Sequence, residues 1–471
     1  MQLENVEKIY FIGIGGIAMS ATACMAKQMG YQVVGSDSTE VYAPAKTVLD
    51  DHNIPYFVGY DTAHIKDEQA DLYIASAGES SLTNPEIAWL ESETIEFYSL
   101  SEFLYQLSKD KLRIVVSGTH GKSTTAALLG RALQEIDDSS FMTGAVLIED
   151  EVNFYQGDGH YYVFEGDEYK ALYNDPTPKF HQYKPDILLL NNLEMDHPDI
   201  FSSLEELENE FAELIENMPD DGLLVYNADQ AELAKLAHQS NLGQVTFGLN
   251  NNANYVASNI QILPEATQFI VTKTGPQDLT KVSTETYAIN LFGEHNVYNA
   301  LGAIAVLRTL GFTPEQVQHG LAAFAGIKRR LEFLGQSKSG AMVFDDYAHH
   351  PTAVKETLKA LKARYPQKRL WAVFEPHTFS RTQSVLTDLA TCFDEADQVL
   401  IAEIYPAREK ASDHSITGQI VVDKIKISQS NVRLVVNKEA AQQILDAELT
   451  ENDVVVVMAV GSFNRLGYQI I

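Results

Sequence analysis

Residues 113–125 of the 471-residue chain read Arg-Ile-Val-Val-Ser-Gly-Thr-His-Gly-Lys-Ser-Thr-Thr. The β-branched run Ile114–Val116 predicts a buried parallel strand, the glycines predict a tight turn, and Lys122 opens an amphipathic helix. Backbone N–H groups at such a turn point at phosphate oxygens, and the helix dipole favours negative charge there. The loop is shorter than the standard phosphate loop, because Val116 stands where the first glycine would be. We interpret the stretch as a nucleotide-phosphate loop.

Each part of this loop has a predicted role. Lys122 reaches the β- and γ-phosphates, and the hydroxyl of Ser123, or of Thr124 beside it, is suited to hold Mg²⁺. The residues predicted to contact the phosphates are Gly118, Thr119, His120, Gly121, Lys122, Ser123 and Thr124.

The composition limits the classes of protein to consider. The length suggests about three domains, and no run of about 18 apolar residues predicts a membrane span. The net charge of −31 argues against broad nucleic-acid binding, which needs basic surface. Two distant cysteines and an N-terminus without a signal-peptide pattern fit a reducing cytoplasm. We expect a cytoplasmic protein with neither a nucleic-acid nor a membrane partner.

A second glycine loop follows the first predicted strand, Lys8–Ile14. Gly13-Ile-Gly15-Gly16-Ile-Ala18 opens a helix, and the next strand ends at Asp37, where a Rossmann unit keeps the acid that binds a ribose. By itself this pattern predicts NAD binding. The alternative is another nucleoside diphosphate on the same helix N-terminus, because the glycines recognise pyrophosphate rather than nicotinamide.

Further strands of this first domain are predicted at Leu72–Ser76 and near residues 95–98. The loop from Ser76 to Asn84 follows the former strand, at the edge of the sheet where ligands bind. The charged segment 109–111 is a plausible linker, so the first domain is predicted to cover residues 1–110.

Two more strand ends carry acids or a histidine. The strand Tyr161–Phe164 leads into Glu165-Gly-Asp-Glu168, whose carboxylates are either Mg²⁺ ligands or part of a solvated acidic turn. The strand Ile187–Leu190 leads towards His197, which is either a metal ligand or a surface histidine. Because parallel strand ends meet at one edge of a sheet, we favour a function for both groups.

The next segments complete the middle domain and begin the last. Residues 251–290 alternate in polarity and suggest an antiparallel flank, and an alanine-rich helix opens near residue 293. His295, Asn296 and Asn299 can share one face of that helix, where they either bind a base or ribose or cap the helix. Beyond residue 327, strands alternate with helices and predict another α/β unit. Histidines 349, 350 and 377 follow strands there, without the acid–histidine spacing typical of a metal site.

Four of these motifs together resemble the ATP-dependent Mur ligases of peptidoglycan assembly. They are Gly-Thr-His-Gly-Lys-Ser-Thr at 118–124, Glu-Gly-Asp-Glu at 165–168, Asn-Leu-Glu-Met-Asp-His at 192–197 and Gly-Glu-His-Asn-Val-Tyr-Asn at 293–299. Phe-Ile-Gly-Ile-Gly-Gly-Ile-Ala-Met-Ser at 11–20 is similar to the branch that uses UDP-N-acetylmuramate. The resemblance covers essentially the full length, in the family's order.

The resemblance implies an α/β fold of three domains. These are an N-terminal Rossmann-like nucleotide-binding domain over residues 1–110, a central P-loop ATPase domain over 111–326 and a C-terminal Rossmann-like α/β domain over 327–471. It also implies the cofactors ATP and Mg²⁺ and the small-molecule substrates UDP-N-acetylmuramate and an amino acceptor. We expect a monomer or homodimer.

The resemblance also assigns roles to individual residues. It implies catalytic roles for Lys122, His197, Glu165, Glu168 and Arg330. Besides the phosphate loop, it implies ATP contacts from His295, Asn296, Asn299, Arg330 and Asp346. It implies contacts to the UDP-sugar from Gly13, Gly15, Gly16, Ser20, Asp37, Ser76 and Asn84. It implies acceptor contacts from His349, His377, Arg381 and Arg408.

The resemblance also implies the metal ligands, although the chain departs from the family's pattern at one point. Some members carry a carbamylated lysine shortly after the Asp-His motif, and no lysine lies between Pro198 and Asp220 here. The metal is therefore expected to rest on Ser123, Glu165 or Glu168, and His197.

Two branches of the family load the same nucleotide, one with L-alanine and one with a recycled L-alanyl-γ-D-glutamyl-diaminopimelate tripeptide. Residues 166–185 and 461–463 resemble the tripeptide branch, whereas 376–382 and 402–410 resemble the alanine branch. Because the family binds its acceptor mainly through the C-terminal domain, L-alanine is predicted. Tyr169 and the insertion at 178–185 are the counter-evidence, since they could shape a roomier site.

The implied reaction uses ATP to convert a carboxylate into an acyl phosphate, which an amine then attacks. Two other functions account for part of the chain. A nicotinamide oxidoreductase would use residues 11–37 but leaves the loop at 118–125 without a role. An ATPase that only switches a partner would use the middle domain but not the N-terminal loop.

Overall fold

A computed structural model describes the whole chain apart from residues 2, 196–199, 202, 251–252, 264, 275–281 and 408 and the side chain of residue 176. The described chain is an α/β structure with three main sheets of five, ten and six strands, which follow one another along the sequence. Each sheet lies within one predicted domain, although the exact boundaries at residues 110 and 326 stay predictions. No helix in these described parts is long and apolar enough to cross a membrane.

The N-terminal sheet is parallel, with the strand order β3-β2-β1-β4-β5. Its elements are β1 Lys8–Ile12, α1 Ile17–Gln28, β2 Gln32–Asp37, α2 Ala45–Asp51, β3 Tyr56–Val58, α3 Thr62–Glu68, β4 Leu72–Ala75, α4 Pro85–Ser92, β5 Tyr98–Ser99 and α5 Leu100–Leu107. The strand order reverses between β1 and β4, and at such a point an open α/β sheet forms its ligand crevice. The N-terminal glycine loop, which begins at Gly13, leaves β1 at this point.

Two predicted strands of this domain are longer than the observed ones. The strand predicted to reach Ile14 ends at Ile12, because Gly13 has a φ of +79° that turns the chain out of the extended conformation. The strand predicted near residues 95–98 contains only Tyr98–Ser99, since Ser99 is already the N-cap of α5.

The middle sheet has ten strands in the order β17-β16-β15-β14-β13-β12-β6-β9-β7-β8. The first elements of the middle domain are β6 Leu112–Ser117, α6 Lys122–Asp137, β7 Ser140–Met142, β8 Phe154–Tyr155, β9 Tyr161–Glu165, β10 Lys170–Leu172, β11 Asp175–Pro178, α7 Lys179–Gln182 and β12 Ile187–Leu190. Among the described strands, β10 and β11 pair only with each other. The others are α8 Leu204–Glu216, β13 Leu223–Asn227, α9 Ala231–Ala237, β14 Gly243–Gly248, β15 Tyr255–Ile262, β16 Thr267–Thr274, β17 Val282–Ile289, α10 Glu294–Thr309 and α11 Pro314–Ala322.

The position of β6 explains where the phosphate loop lies. β6 pairs in parallel with β12 on one side and β9 on the other, so the ends of all three strands meet at one edge. Val115 and Val116 are fully buried, as the β-branched run predicts. The predicted antiparallel flank is also present, as β15, β16 and β17.

A hairpin that was not predicted, β10 with β11, joins the first two domains. The Tyr173 hydroxyl lies 3.1 Å from Ser81 Oγ, and Leu172 packs into the apolar core of the N-terminal domain. Gln182 Oε1 accepts hydrogen bonds from Ser99 and Ser101 at 2.6 and 2.5 Å. Gln182 thus attaches the insertion at 178–185 to the N-terminal domain, whereas Phe180 packs on Phe211 of the middle domain. No residue of 178–185, a fully described segment, lines the cleft that holds the predicted acceptor residues, which corrects the suggestion that the insertion widens the acceptor site.

The C-terminal sheet has the order β18-β19-β23-β20-β21-β22. Its elements are β18 Glu332–Gln336, β19 Met342–Asp346, α12 Pro351–Arg364, β20 Arg369–Phe374, α13 Phe379–Ser384, α14 Leu386–Leu389, β21 Gln398–Ala402, α15 Gly418–Ile425, β22 Val432–Val435, α16 Lys438–Glu448, β23 Asp453–Met458 and α17 Arg465–Ile470, with 3₁₀ turns at Ala411–Asp413 and Ser462–Asn464. The predicted parallel strands are present. The antiparallel edge strand β18 was missed, since its half-exposed residues do not form an apolar run.

Candidate nucleotide and ligation site

A cleft of about 820 Å³ lies between the middle and C-terminal domains. It brings together most of the residues predicted to contact ATP and the acceptor. From those predictions it is lined by Thr119, His120, Gly121, Lys122, Ser123, Thr124, Glu165, His295, Asn296, Asn299, Arg330, Asp346, His349, His377 and Arg381. Nucleotide and acceptor groups predicted from separate stretches of sequence thus face one space.

The phosphate loop has the conformation that its glycines predict. α6 begins at Lys122, and Gly121 precedes it with a φ of +81°. A Cβ atom at Gly121 would lie 2.3 Å from Asn299 Oδ1, so any larger residue would collide with the helix that carries Asn299. The loop therefore stays close to α10 and keeps its backbone N–H groups at the N-terminus of α6, where they suit an anion.

The end of β12 fixes the other side of the loop. Asn192 binds His120 twice, because its Oδ1 accepts from the His120 backbone N–H at 2.7 Å and its Nδ2 donates to the His120 carbonyl at 3.0 Å. Thr119 Oγ1 likewise donates to the Glu194 carbonyl and accepts from the Glu194 N–H, both at 2.9 Å. The loop geometry thus depends on a neighbouring strand end as well as on its own sequence.

Lys122 is paired with Glu168 beneath the cleft. Its Nζ lies 3.0 Å from Oε1 and 2.9 Å from Oε2 of Glu168, and both side chains are almost fully buried. Burial lowers the pKa of Lys122, but the negative charges of Glu168, Asp167 and Glu165 outweigh it and leave that pKa above the ordinary value. Lys122 is therefore a fixed positive charge at the loop.

Ser123 and Glu165 form the group that best fits a hard divalent cation. Ser123 Oγ donates to Glu165 Oε1 at 2.7 Å, and the Gly144 N–H donates to Glu165 Oε2 at 2.6 Å. Burial raises the pKa of Glu165, as expected for a carboxylate without a neighbouring cation in direct contact. These oxygens at the phosphate loop are the ligands that Mg²⁺ prefers. His197, the other predicted ligand, lies outside the described residues.

The start of α10 forms the wall predicted to contact the base or ribose. Asn299 Nδ2 donates to Asn296 Oδ1 at 3.0 Å, and Asn296 Nδ2 donates to the Phe292 carbonyl at 2.8 Å. Burial, with Arg330 and Lys359 nearby, lowers the pKa of His295 to about 4, so its ring is neutral at physiological pH. A neutral ring is suited to stacking or accepting from a base.

The same wall contains a polar group that the sequence did not reveal. Asp229 Oδ2 accepts from the Tyr298 hydroxyl at 2.8 Å, and Asp229 Oδ1 accepts from Asn250 Nδ2 at 2.6 Å. All three residues line the cleft. Asp229 lies just beyond the end of β13, so the strand-end rule that pointed to Glu165 would also have found it.

The C-terminal domain supplies the opposite wall. Burial raises the pKa of Asp346, whose two oxygens accept the backbone N–H groups of Leu331 and Ala348, both at 2.7 Å. Arg381 Nη1 lies 3.3 Å from His377 Nδ1, and the ring centroids of His377 and His349 are 5.6 Å apart. The wall therefore presents a cation and imidazoles. Arg408 lies outside the described residues.

The N-terminal glycine loop lies outside this cleft. The Gly15 N–H, predicted to face a diphosphate, donates to Asp37 Oδ2 at 2.8 Å. Asn84 is buried and caps α4, with its Oδ1 accepting from the Glu86 N–H at 2.9 Å. Ser20 is also buried, with Oγ donating to the Ile17 carbonyl at 3.1 Å. The UDP-sugar contacts of Gly13, Gly15, Gly16, Ser20, Asp37, Ser76 and Asn84 stay predictions.

Comparison with known sequences accounts for all three domains. The description "Mur ligase family, catalytic domain" matches residues 8–112, "Mur ligase middle domain" matches 116–307 and "Mur ligase, glutamate ligase domain" matches 329–461. The UDP-N-acetylmuramate–L-alanine ligase of Desulfitobacterium hafniense is 33% identical over 465 residues, which cover 98% of this chain and 99% of that protein. The chain belongs to the Mur ligase family.

Other comparisons place this Mur ligase among proteins of both branches. The UDP-N-acetylmuramate–L-alanine ligase of Clostridium acetobutylicum is 33% identical over 467 residues, 98% of this chain and 96% of that protein. The crystal structure of UDP-N-acetylmuramate-alanine ligase MurC from Thermotoga maritima is 25% identical with a TM-score of 0.78, covering 98% of both chains. A murein peptide ligase from Psychrobacter arcticus is 26% identical with a TM-score of 0.71 over the same shares. The predicted family and three-domain α/β fold are confirmed.

Proposed function

We propose that this Mur ligase uses ATP to join the carboxylate of UDP-N-acetylmuramate to the amine of L-alanine, in the assembly of peptidoglycan. The observation that carries the proposal is a single cleft with two chemically different walls. Lys122 and Ser123 of the phosphate loop face Arg381 and His377 of the C-terminal domain across it. A phosphate-transfer group thus shares a space with a cationic group suited to an amino-acid carboxylate.

The reaction needs activation because a carboxylate has no good leaving group. The sugar carboxylate attacks the γ-phosphorus of ATP, which gives an acyl phosphate and ADP. The acceptor amine then adds to the acyl carbon, and inorganic phosphate leaves from the tetrahedral intermediate. The protein contributes mostly position and charge, as is usual for phosphoryl transfer.

Each residue has a stated part in this scheme. When ATP binds, the Lys122 ammonium group leaves Glu168 and pairs with a phosphate. There it neutralises the charge on the transferred phosphoryl group. Arg330 lies at the start of the C-terminal domain and also lines the cleft, so it brings positive charge to the nucleotide from the other wall. The two walls exclude water, which would otherwise hydrolyse the acyl phosphate.

Mg²⁺ is proposed as the cofactor beside ATP. Ser123 and Glu165 would hold it, because their oxygens already meet at the phosphate loop, whereas Glu168 pairs with Lys122 in this structure. When bound, the ion neutralises phosphate charge and orients the phosphoryl group. A cytoplasmic location and a monomer or homodimer stay predictions.

We propose L-alanine rather than the tripeptide as the acceptor for two reasons. The two sequence relatives named above, from Desulfitobacterium hafniense and Clostridium acetobutylicum, are L-alanine ligases that align over nearly their full length. In addition, the insertion at 178–185, which resembled the tripeptide branch, packs between the N-terminal and middle domains and does not line the cleft. Of the neighbouring residues 166–169, which also resembled the tripeptide branch, Asp167 and Tyr169 line the cleft.

The test is phosphate release with ATP, Mg²⁺ and UDP-N-acetylmuramate against a panel of L-alanine, glycine, L-serine and the tripeptide. We expect turnover only when the UDP-sugar and an acceptor are both present, with L-alanine giving the highest kcat/KM. Turnover with ATP alone would indicate a switching ATPase. Turnover linked to NADH absorbance would indicate the oxidoreductase.

A further inference from the structure

Three possible metal ligands meet where the phosphate loop touches the C-terminal domain. His120 belongs to the loop, Glu194 follows β12, and His350 is the N-cap of α12. One ligand atom from each lies within 4.8 Å of the other two. All three residues are partly buried and line the cleft. The group is separate from Ser123 and Glu165, which were assigned to Mg²⁺ above.

One ligand–ligand distance and one ring separation match those around one tetrahedral ion. His120 Nε2 lies 3.4 Å from Glu194 Oε2, and Zn–N and Zn–O bonds of about 2.0–2.1 Å at a tetrahedral angle give a ligand–ligand distance of about 3.4 Å. The ring centroids of His120 and His350 are 5.0 Å apart, close to the separation of about 5 Å for two imidazoles on such an ion. His120 Nε2 is buried and faces Glu194 Oε2.

The ligands are held in place by the surrounding structure. Asn192 fixes the backbone of His120 on both sides of its peptide, and Thr119 fixes the backbone of Glu194. Thr352 Oγ1 donates to Glu194 Oε2 at 3.1 Å from the other domain. Such outer contacts orient the ligands of metal sites.

We propose that His120, Glu194 and His350 form a binding site for a Zn²⁺-class transition-metal ion that joins the phosphate loop to the C-terminal domain. Two imidazoles and one carboxylate select such an ion over Mg²⁺, which prefers oxygen ligands. Because all three residues line the cleft, water or a phosphate oxygen could supply a fourth ligand. Because two ligands come from the middle domain and one from the C-terminal domain, the bound ion holds the two walls together.

The inference goes beyond the proposed ligase reaction and needs no nucleotide to be tested. The metal-free full chain is titrated with Co²⁺ in excess Mg²⁺. We expect one Co²⁺ per chain with the intense visible absorption of a tetrahedral ion, which one equivalent of Zn²⁺ removes. A weak octahedral spectrum, or displacement of Co²⁺ by Mg²⁺, overturns the proposal.

Substitutions identify the ligands. His120→Gln, Glu194→Gln and His350→Gln should each weaken Co²⁺ binding by at least about tenfold, since even outer-shell changes cost tenfold or more. Glu165→Gln tests the Mg²⁺ residues, and His181→Gln tests a second group of possible ligands, His181, Glu210 and Glu213, in the described chain. Both should retain the tetrahedral spectrum. Loss of the spectrum only in these two variants overturns the assignment.

Two further measurements use only the wild-type chain, so they do not require any variant to fold. X-ray absorption of the Zn²⁺-loaded wild type should show two imidazoles per zinc, and zero or one contradicts the site. Hydrogen exchange should slow on Zn²⁺ addition both in residues 118–121 and in the first turn of α12. Slowing in only one of these segments would overturn the bridging role. Activity enters neither readout, so failure here is distinguishable from failure of the proposed ligase function.

Discussion

Lys122 and Glu168 form a buried ion pair inside the phosphate loop, with Lys122 Nζ 3.0 and 2.9 Å from the two carboxylate oxygens. The pair links stability to catalysis. Removal of one partner of a buried pair leaves the other charge without its counter-ion, at a cost of about 3–5 kcal/mol. ATP binding offers Lys122 a phosphate in exchange for Glu168. A substitution at Lys122 is therefore expected to change both the stability and the rate.

Lys122→Ala should lower kcat by at least about 10³-fold and also lower the melting temperature, since Glu168 loses its cation. The double variant Lys122→Ala/Glu168→Gln is the matched control, because a neutral amide needs no counter-ion. We expect it to recover most of the melting temperature and none of the activity. Phosphate-release kinetics and thermal unfolding separate the two effects. Recovery of turnover in the double variant would remove Lys122 from the reaction.

The second prediction concerns the N-terminal glycine loop. Gly13 has a φ of +79°, and a Cβ atom there would lie 2.9 Å from the Ser76 Cβ. Gly13→Ala should therefore move the loop and weaken UDP-N-acetylmuramate binding by at least about tenfold, or about 1.4 kcal/mol. Binding is measured by calorimetry and by the rise in melting temperature that a native-state ligand causes.

Gly30→Ala is the control for this loop. Gly30 also has a positive φ, +99°, but no atom lies within 4 Å of its Cβ position. Gly30→Ala should cost about 1 kcal/mol of stability through backbone strain and leave UDP-sugar affinity unchanged.

NAD should give no thermal shift with the wild type. A shift with NAD and none with the UDP-sugar would restore the dinucleotide interpretation of residues 11–37.

The sequence alone was sufficient to predict those strands and loops that depend on a local pattern of residues. β-Branched runs predicted the parallel strands, and glycine at a strand end predicted both loops, because close backbone approach there excludes a side chain. β10 and β11 were missed because both strands are short, β11 contains two prolines, and the hairpin packs on another domain through Leu172. β18 was missed because an antiparallel edge strand needs only one apolar face.

The candidate site was predicted less completely, for a related reason. The residues of single motifs, such as Lys122 with Ser123, were found from their spacing. Contacts between motifs were not, since no local spacing places His350 beside His120 or aligns Thr352 with Glu194. For the same reason, the sequence could not choose between Glu165 and Glu168, whose different partners depend on how β9 meets the phosphate loop.

The third prediction uses two buried carboxylates of the C-terminal domain. Burial raises the pKa of Asp345 to about 7, against an opposing effect of Arg329, and burial also raises the pKa of Glu375 to about 7. Between about pH 4 and 7 the folded state holds protons that the unfolded state has released. The free energy of unfolding should therefore fall as pH rises through this window, by at most about 1.4 kcal/mol per pH unit for each group.

Trp371 is fully buried in the C-terminal sheet and reports on this domain. The measurement is denaturant unfolding by tryptophan fluorescence, without nucleotide, in a Trp89→Phe background at pH 5.5 and 8. Asp345→Asn should remove a large part of the pH dependence, with Glu375 and Asp346, whose pKa values burial also raises, responsible for the remainder. Asp446→Asn, at an exposed position on α16, should leave the dependence unchanged. Higher stability at pH 8 than at pH 5.5 would contradict the assignment.

The last prediction concerns recognition of the acceptor carboxylate by Arg381. Arg381 is 8% exposed, lines the cleft and lies 3.3 Å from His377, so its guanidinium is held in one place. A guanidinium can bind a carboxylate through two parallel hydrogen bonds, and hydrogen bonds to charged groups contribute about 1.5–3 kcal/mol. Arg381→Gln should therefore lower kcat/KM for L-alanine by about 10- to 100-fold, mostly through KM. Arg433→Gln, which removes a partly buried arginine that is paired with Glu448 and is not among the residues that line the cleft, should change neither constant.

L-Alaninamide separates recognition of the carboxylate from a general loss of structure. The amide lacks the negative charge, so the wild type should use it far less well than L-alanine, whereas Arg381→Gln should use the two almost equally. Arg381→Lys should recover only part of the preference, because an ammonium group cannot form the two parallel bonds. If Arg381→Gln keeps the full preference for L-alanine over its amide, the carboxylate binds elsewhere. If the wild-type kcat/KM for the tripeptide exceeds that for L-alanine by more than about tenfold, roughly 1.4 kcal/mol of transition-state preference, the chain is a recycling ligase despite its cleft.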